Sequence, residues 1–387
     1  MTKASSPKKR MIAVVTTSRA DYSHLYWPLH DLEAHPDVDL KIIVMGSHLS
    51  PEFGTTVKEI EADGFEIHGR VECLLSSDTD VGMAKTIGVA VLSLADLLGQ
   101  MRPDLLLLIA DRYEMLAPIS VALALRIPVA HIEGGEISEG AIDDAVRNAI
   151  TKMSHIHFTS TNTARARVIA MGEEEWRVHR AGAPSIDHLS RNKLYTRELL
   201  EEKLGDLSRA PIVVAYHPVT LLSDTLAEAE ALFAGLKQIE GPLIFFYPNA
   251  DAGSRELIER TNEFLAARND GRIFTNLPAL EYWSLLCYSE LMIGNSSSGI
   301  MEIASFALPT VNVGMRQQGR ERADNTIDAA PNEAAILAAA KQARSAEFRD
   351  SLQGMENPYG DGTASQKIVE VLTTVPLGEE LLIKKAR

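Results

Sequence analysis

Residues 127–136 read IPVAHIEGGE. The opening IPVA is unbroken and apolar, as in a strand buried on both faces. Such strands belong to parallel sheets covered by helices, and ligands bind there outside the carboxyl ends of the strands. The segment after this strand is acidic: Glu133, Glu136, Glu139, Asp143 and Asp144 crowd the stretch that ends at Arg147. Carboxylates packed this closely repel one another unless a cation or a proton-transfer role compensates.

The same alternation extends outward in both directions. Strands are expected at 11–16 (MIAVVT), 40–46 (LKIIVMG), 66–72 (EIHGRVE), 104–110 (DLLLLIA), 127–132 (IPVAHI) and 155–160 (HIHFTS). Helical stretches such as EFGTTVKEIEADG and VGMAKTIGVAVLSLADLLGQM lie between them. After the charged segment SRNKLYTRELLEEKLGDLSR (190–209) the pattern restarts, with strands at 211–216, 243–248, 271–276, 291–294 and 310–314. The boundary falls near residues 186–208. The expected fold class is α/β, with two doubly wound, Rossmann-like domains facing a central cleft. The first covers residues 1–187 and the second 188–370, with a tail over 371–387.

With 387 residues, 45% of them apolar, the chain can build two ordinary cores. A formal charge of −15 excludes a broad nucleic-acid-binding surface, so an anionic ligand must meet a local cluster of cations. Cys73 and Cys287 stand in no metal or disulfide pattern and are expected to be reduced, buried thiols. The basic start is followed by an apolar run too short for a signal peptide, and no stretch is expected to reach the length of a membrane span. These features predict a cytoplasmic, soluble protein.

Polar motifs follow strand after strand. MIAVVT leads into TSRADY, DLLLLIA into DRYE, and IPVAHI into EGGE. In the second half PIVVAY leads into HPVT, LIFFY into PNADAGS, LMIG into NSSSG, and TVNVG into MRQQGR. Together they describe the walls of one cleft. NSSSGIMEIASF opens a helix with hydroxyls and a glycine, a phosphate-binding pattern, with Glu302 placed to accept from a ribose diol. Neither GxGxxG nor GxxxxGK[ST] occurs. Arg19, Arg112, Arg147, Arg316 and Arg320 supply guanidiniums suited to a nucleoside diphosphate.

Asp111 and Glu133 end separate strands and share a crevice if those strands are neighbours. Asp143 and Arg147 share a helix face. An apolar-walled crevice holding paired acids supports proton transfer. Asp144, Glu136 and Glu139 are expected to be helix-start residues favoured by the helix dipole. His217 ends the first strand of the second half and is expected to face the acids. His155 and His157 alternate on a strand without a third metal ligand nearby, which favours structural roles.

The motifs TTSRADYSHL, ADRYEMLA, AHIEGGEISEGAIDDAVRNAITKMSHIHF, HPVT, YPNADAGS, IGNSSSGIMEI and MRQQGR resemble those of the hydrolysing UDP-N-acetylglucosamine 2-epimerases. That family includes the enzymes that open sialic and legionaminic acid pathways and the epimerase half of a mammalian epimerase/kinase. The likeness runs from about residue 11 to 370. GSHLSPEFGTTVKEIEADGFEI and LLSSDTDVG look most like the legionaminic branch, which acts on a UDP-linked 2,4-diacetamido-2,4,6-trideoxy sugar. IEGGE resembles the mammalian form, and Ala110 stands where the family usually has Gly.

The resemblance implies a GT-B-like fold whose C-terminal helix crosses back onto the first domain. It implies conversion of UDP-N-acetylglucosamine to N-acetylmannosamine and UDP, through anti elimination to a 2-acetamidoglucal and hydration. Asp111, Glu133 and Asp143 match the catalytic acids, with Arg147 orienting Asp143 and His217 beside the leaving diphosphate. Arg19, Ser23, Arg112, Asn249, Ser296, Ser297, Glu302 and Arg316 match UDP-contact positions. It implies no metal, no NAD or other cofactor, and a homodimer or tetramer. Three rivals predict different behaviour: a GT-B glycosyltransferase, a non-hydrolysing epimerase that keeps UDP attached, and a silent UDP-sugar sensor.

Overall fold

The computed structural model describes residues 9–385 except 76, 78, 140, 223, 225, 249, 250, 252 and 276. Among the described residues the first sheet has seven strands: β1 (Arg10–Thr16), β2 (Val38–Met45), β3 (Ile67–Val71), β4 (Leu105–Ile109), β5 (Val129–Ile132), β6 (Ile156–Thr159) and β7 (Val178–Arg180). The second has six: β8 (Ile212–Ala215), β9 (Leu243–Phe246), β10 (Gly271–Phe274), β11 (Leu291–Gly294), β12 (Thr310–Val313) and β13 (Thr326–Ala329). The orders are β3-β2-β1-β4-β5-β6-β7 and β10-β9-β8-β11-β12-β13, and every pairing is parallel. Each sheet reverses its winding once, between β1 and β4 and between β8 and β11. These are the switch points where open α/β sheets leave a crevice.

The apolar runs became strands because helices cover both faces of each sheet. All of LLLLI in β4 is buried, as is all of LIFF in β9. The two strands not expected from the sequence, β7 (VHR) and β13 (TIDA), lie at sheet edges and are too short and polar to show as apolar runs.

The chain crosses between the halves twice. The helix Ala364–Thr374 buries Ile368 and Leu372 in the first sheet's core. Asp187 caps that helix, accepting from Ala364 N at 2.9 Å and Ser365 N at 2.7 Å. Arg177 fastens the segment beyond it, donating to the carbonyls of Glu380, Leu381 and Ile383 at 3.0, 2.8 and 3.0 Å. The expected domain limit at residue 370 therefore falls inside a helix that packs with the first sheet.

Two sequence expectations are corrected. The helix Asp80–Met101, with 22 residues, is long and apolar enough by composition to cross a membrane, although no stretch was expected to be. It buries Thr86, Ala90, Leu94 and Leu98 against the first domain. Cys73 is buried as expected, but Cys287 is exposed, because it sits on the outer face of the helix Ala279–Tyr288. His155 and His157 are spent internally. His155 Nδ1 accepts from Val129 N at 3.1 Å, and His157 Nε2 lies 3.1 Å from Glu173.

Candidate active site

A cleft of about 530 Å³ separates the carboxyl ends of the two sheets, a size suited to a small-molecule ligand. The segments after β1, β4, β5, β8, β9, β11 and β12 contribute Arg19, Asp111, Glu133, His217, Tyr247, Ser296 and Arg316 to its wall. Ser23, Arg112, Asp143, Ser297 and Glu302 line it too. Asn249 lies outside the described residues.

β4 and β5 are neighbours, with Ile109 paired to Ile132, so Asp111 and Glu133 leave adjacent strand ends. The backbone is strained at both exits: Ala110 has φ 57° and Glu133 φ 68°. Glycine adopts that left-handed region freely, whereas a side chain there costs about 1 kcal/mol or more. Strain of this kind persists where the surrounding structure fixes it, commonly at a functional site. Here Glu133 N donates to Phe158 O at 2.7 Å, and His131 Nε2 lies 2.8 Å from Ala110 O.

Asp143 begins the helix Asp143–Met153 and faces the same cleft. Burial raises its pKa; the Arg316 and Arg112 guanidiniums oppose that rise and Asp251 adds to it. It therefore holds a proton more readily than an ordinary aspartate.

Arg147 does not pair with Asp143. Its buried guanidinium forms an ion pair with Asp111, lies 3.6 Å from Asp144, and donates to Glu136 O at 2.8 Å. The reason is tertiary: the end of β4 comes over the helix, and its carboxylate reaches the arginine first. Arg147 thus orients Asp111.

The opposite wall is cationic and hydroxylic. Burial, then the Arg316, Arg112 and Arg19 guanidiniums, push the His217 pKa well below the usual histidine value. A neutral imidazole ringed by arginines marks a place where positive charge awaits an anion. Asn295, fully buried, accepts from His217 N at 2.7 Å and donates to His217 O at 2.9 Å. Its own carbonyl accepts from Arg316 and Gln317 at 3.2 and 3.0 Å.

Arg19 donates to Leu277 O at 2.7 Å, which ties the first half to the far wall. Arg112 is already engaged, with Glu114 at 3.0 Å and Asp251 at 3.3 Å. The serine-rich helix is short, Ser298–Met301, and Ser297 makes no side-chain cap. Ser298 donates to Glu302 and lies 2.5 Å from Tyr282 OH.

Sequence reasoning passed over Asn295 and His24, and it read Ser298 only as one of the hydroxyls of a phosphate-binding turn. His24 directly follows Ser23 in the segment TSRADYSHL, and both line the cleft. That adjacency was the usable signal. The partners of His24 were not legible: Glu133 Oε1 at 2.6 Å from Nδ1, and Glu302 Oε1 at 3.0 Å from Nε2. Glu136, expected to be a helix-start residue, lies before the helix that begins at Asp143 and is 2% exposed, and neither carboxylate oxygen has a hydrogen-bond partner among the described residues. Burial pushes its pKa up to about 7; Arg320 opposes that rise, and Glu133 adds to it.

Comparison with known proteins locates this geometry. The family model described as UDP-N-acetylglucosamine 2-epimerase matches residues 30–373. The chain is 38% identical to UDP-N,N'-diacetylbacillosamine 2-epimerase (hydrolyzing) of Legionella pneumophila, over 97% of this chain and 98% of that protein. It is 36% identical to GDP/UDP-N,N'-diacetylbacillosamine 2-epimerase (hydrolyzing) of Campylobacter jejuni, over 89% and 90%. It is 31% identical to UDP-N-acetylglucosamine 2-epimerase of Neisseria meningitidis, over 94% and 95%. Among solved structures, a UDP-GlcNAc 2-epimerase from Neisseria meningitidis bound to UDP-GlcNAc superimposes with a TM-score of 0.78 at 18% identity, covering 94% of this chain and 99% of that one. At that identity the likeness speaks for the fold, two parallel-sheet α/β domains of GT-B type.

Proposed function

Because the chain belongs to the UDP-N-acetylglucosamine 2-epimerase family, we propose that it is a hydrolysing 2-epimerase of UDP-linked 2-acetamido sugars. The observation that carries this reading is the convergence of Asp111, Glu133 and Asp143 on one cleft whose other wall carries His217 and Arg316. The C2 proton of the sugar leaves to a carboxylate while the C1–O bond to UDP breaks, giving a 2-acetamidoglucal and UDP. Water then adds to C1 and a proton returns to C2 from the other face, giving the free 2-epimer. Taking a proton from one face and returning it to the other calls for acids from more than one element. β4, β5 and the helix Asp143–Met153 supply them. Asp143, protonated more readily than an ordinary aspartate, is suited to giving the proton back.

The diphosphate leaves toward His217, Arg19 and Arg316, and its negative charge meets the field that now depresses the histidine. Ser23, Ser296, Ser297 and Glu302 complete the nucleotide side, and Arg112 acts there through its ion pairs.

UDP-2,4-diacetamido-2,4,6-trideoxyglucose (UDP-N,N'-diacetylbacillosamine) is the favoured substrate, with UDP-N-acetylglucosamine second. Supporting this order, the two relatives named for the former share 38% and 36% identity, against 31% for the one named for the latter. The proposal includes a cytoplasmic location, no NAD or metal requirement, and a homo-oligomer. The helix Asp80–Met101, with Val81 and Leu92 exposed, offers an apolar face for self-association.

Proton NMR of the protein with each sugar nucleotide in D2O tests the reading. Free UDP together with a C2-deuterated 2-epimer supports it and identifies the sugar. C2 exchange with UDP still attached replaces it with the non-hydrolysing reaction. No exchange with either compound leaves a transferase or a sensor.

A further inference from the structure

His24 occupies a place that the proposed chemistry does not account for. Each of its ring nitrogens faces a carboxylate oxygen, Glu133 on the first half at 2.6 Å and Glu302 on the second at 3.0 Å. Two acceptors require two N–H donors, and only the imidazolium has both. On its far side Glu302 accepts from Ser298, which lies 2.5 Å from Tyr282 OH. A continuous chain thus runs Tyr282, Ser298, Glu302, His24, Glu133, across the cleft and between the domains.

We propose that His24 is a positioning residue that fixes the acid–base carboxylate Glu133 and makes it answer to nucleotide occupancy at Glu302. The inference rests on the epimerase reading, because it takes Glu133 as an acid–base group and Glu302 as the ribose acceptor. Glu302 is held on one oxygen by His24 and on the other by Ser298. A ribose hydroxyl that donates to it competes with the His24 N–H. As that hydrogen bond weakens, the imidazolium concentrates on Glu133 and sharpens its aim at the sugar. Catalytic alignment is then completed only when the nucleoside half is seated.

The other groups facing the ring agree with a charged histidine. Asp21, on the same helix, is turned toward Thr17, accepting from its N at 2.9 Å and its Oγ1 at 2.5 Å. His188, from the crossover segment, is held neutral at neutral pH, its pKa lowered to about 4 by burial. Burial alone would lower the His24 pKa, but the charge and hydrogen bond of Glu133, then those of Glu302, override it and hold the value well above the ordinary one.

Two measurements test this. The first needs no turnover: histidine 15N NMR on the full chain with and without UDP, with His24→Gln used to assign the resonances. The expected spectrum shows a doubly protonated His24 at pH 7.5 whose Nε2 signal moves when UDP is added. A neutral ring, or an Nε2 signal that UDP leaves in place, overturns the inference whatever the enzyme catalyses.

The second is steady-state kinetics, using the sugar nucleotide that the wild type turns over. His24→Gln is expected to lower kcat about 100-fold and change KM less than about threefold. His24→Lys, which restores a cation, is expected to recover part of kcat. Combining His24→Gln with Glu302→Gln should lose no more kcat than the histidine variant alone, while KM rises with the loss of the ribose acceptor. A kcat of His24→Gln within twofold of wild type, or multiplicative kcat losses in the double variant, overturns the inference. A wild type that is inactive on both sugars while the NMR response holds would count against the epimerase reading and leave the coupling standing.

Discussion

The two halves of the molecule share a winding and differ in chemistry. Each sheet reverses at its third and fourth spatial strands, β1/β4 in one and β8/β11 in the other, so each offers the same kind of crevice. The first half fills its crevice with carboxylates, Asp111, Glu133 and Asp143, and anchors the first two with Arg147 and His24. The second fills the equivalent place with His217, Ser296, Ser297 and Arg316. On the proposed reading, proton transfer falls to the first half, and charge capture falls mainly to the second with Arg19 of the first, and the scaffold does not distinguish them. What a parallel sheet does is decided by the few residues at its carboxyl edge.

That division predicts opposite signatures for substitutions on the two walls. Glu133→Gln keeps shape and removes the acid, so kcat should fall about 1,000-fold while UDP affinity, read by calorimetry, changes less than about threefold. A comparable loss of UDP affinity would break the comparison. Arg316→Ala removes a charged partner from the other wall and should weaken UDP binding about 10- to 100-fold, the worth of a charge-assisted hydrogen bond. If UDP binds Arg316→Ala as tightly as it binds wild type, the second half is not the site of charge capture.

A third prediction sharpens the comparison within the acidic half. Glu133 and Glu136 stand three apart on one loop, both buried, yet among the described residues only Glu133 has a hydrogen-bonding partner for its carboxylate. The folded protein raises the Glu136 pKa to about 7. Its contribution to stability is therefore full below the ordinary glutamate range and is lost as pH rises through 7. Glu136→Gln should be more stable than wild type above pH 7, by at most about 3 kcal/mol. The two proteins should converge below about pH 4.5. Urea unfolding at pH 4.5 and 8 measures both ends; equal stability at pH 8 would show that the carboxylate is better satisfied than its surroundings suggest.

The smallest effect is expected at an exposed pair between the halves, where Arg255 of the second donates to Glu52 of the first at 2.6 and 2.8 Å. Both side chains are substantially exposed, so Glu52→Gln should cost less than about 1 kcal/mol and the cost should fade with salt. A larger, salt-insensitive loss would mean that the halves are held together there rather than along the crossover segments.

The sequence by itself determined the two parallel sheets, the order of elements and the motif that stands at each inner strand end. Those features are local: an apolar run covered on both faces and the polar residues just beyond it are contiguous in the chain. It also placed Asp111, Glu133 and Asp143 at the cleft, because their positions derive from strand ends and a helix start. Only the tertiary structure decided who meets whom. Arg147 turns to Asp111, 36 positions away, instead of to Asp143 one helical turn back. His24 is clasped by two glutamates from different domains. Glu136 is sealed in with no hydrogen-bond partner among the described residues, and the helix Ala364–Thr374 returns to the first core. Periodicity carries information about which face a residue takes, over a turn or a strand. Partnership between carboxylates and cations depends on how separately folded elements come to rest against one another, and no spacing in the chain encodes it.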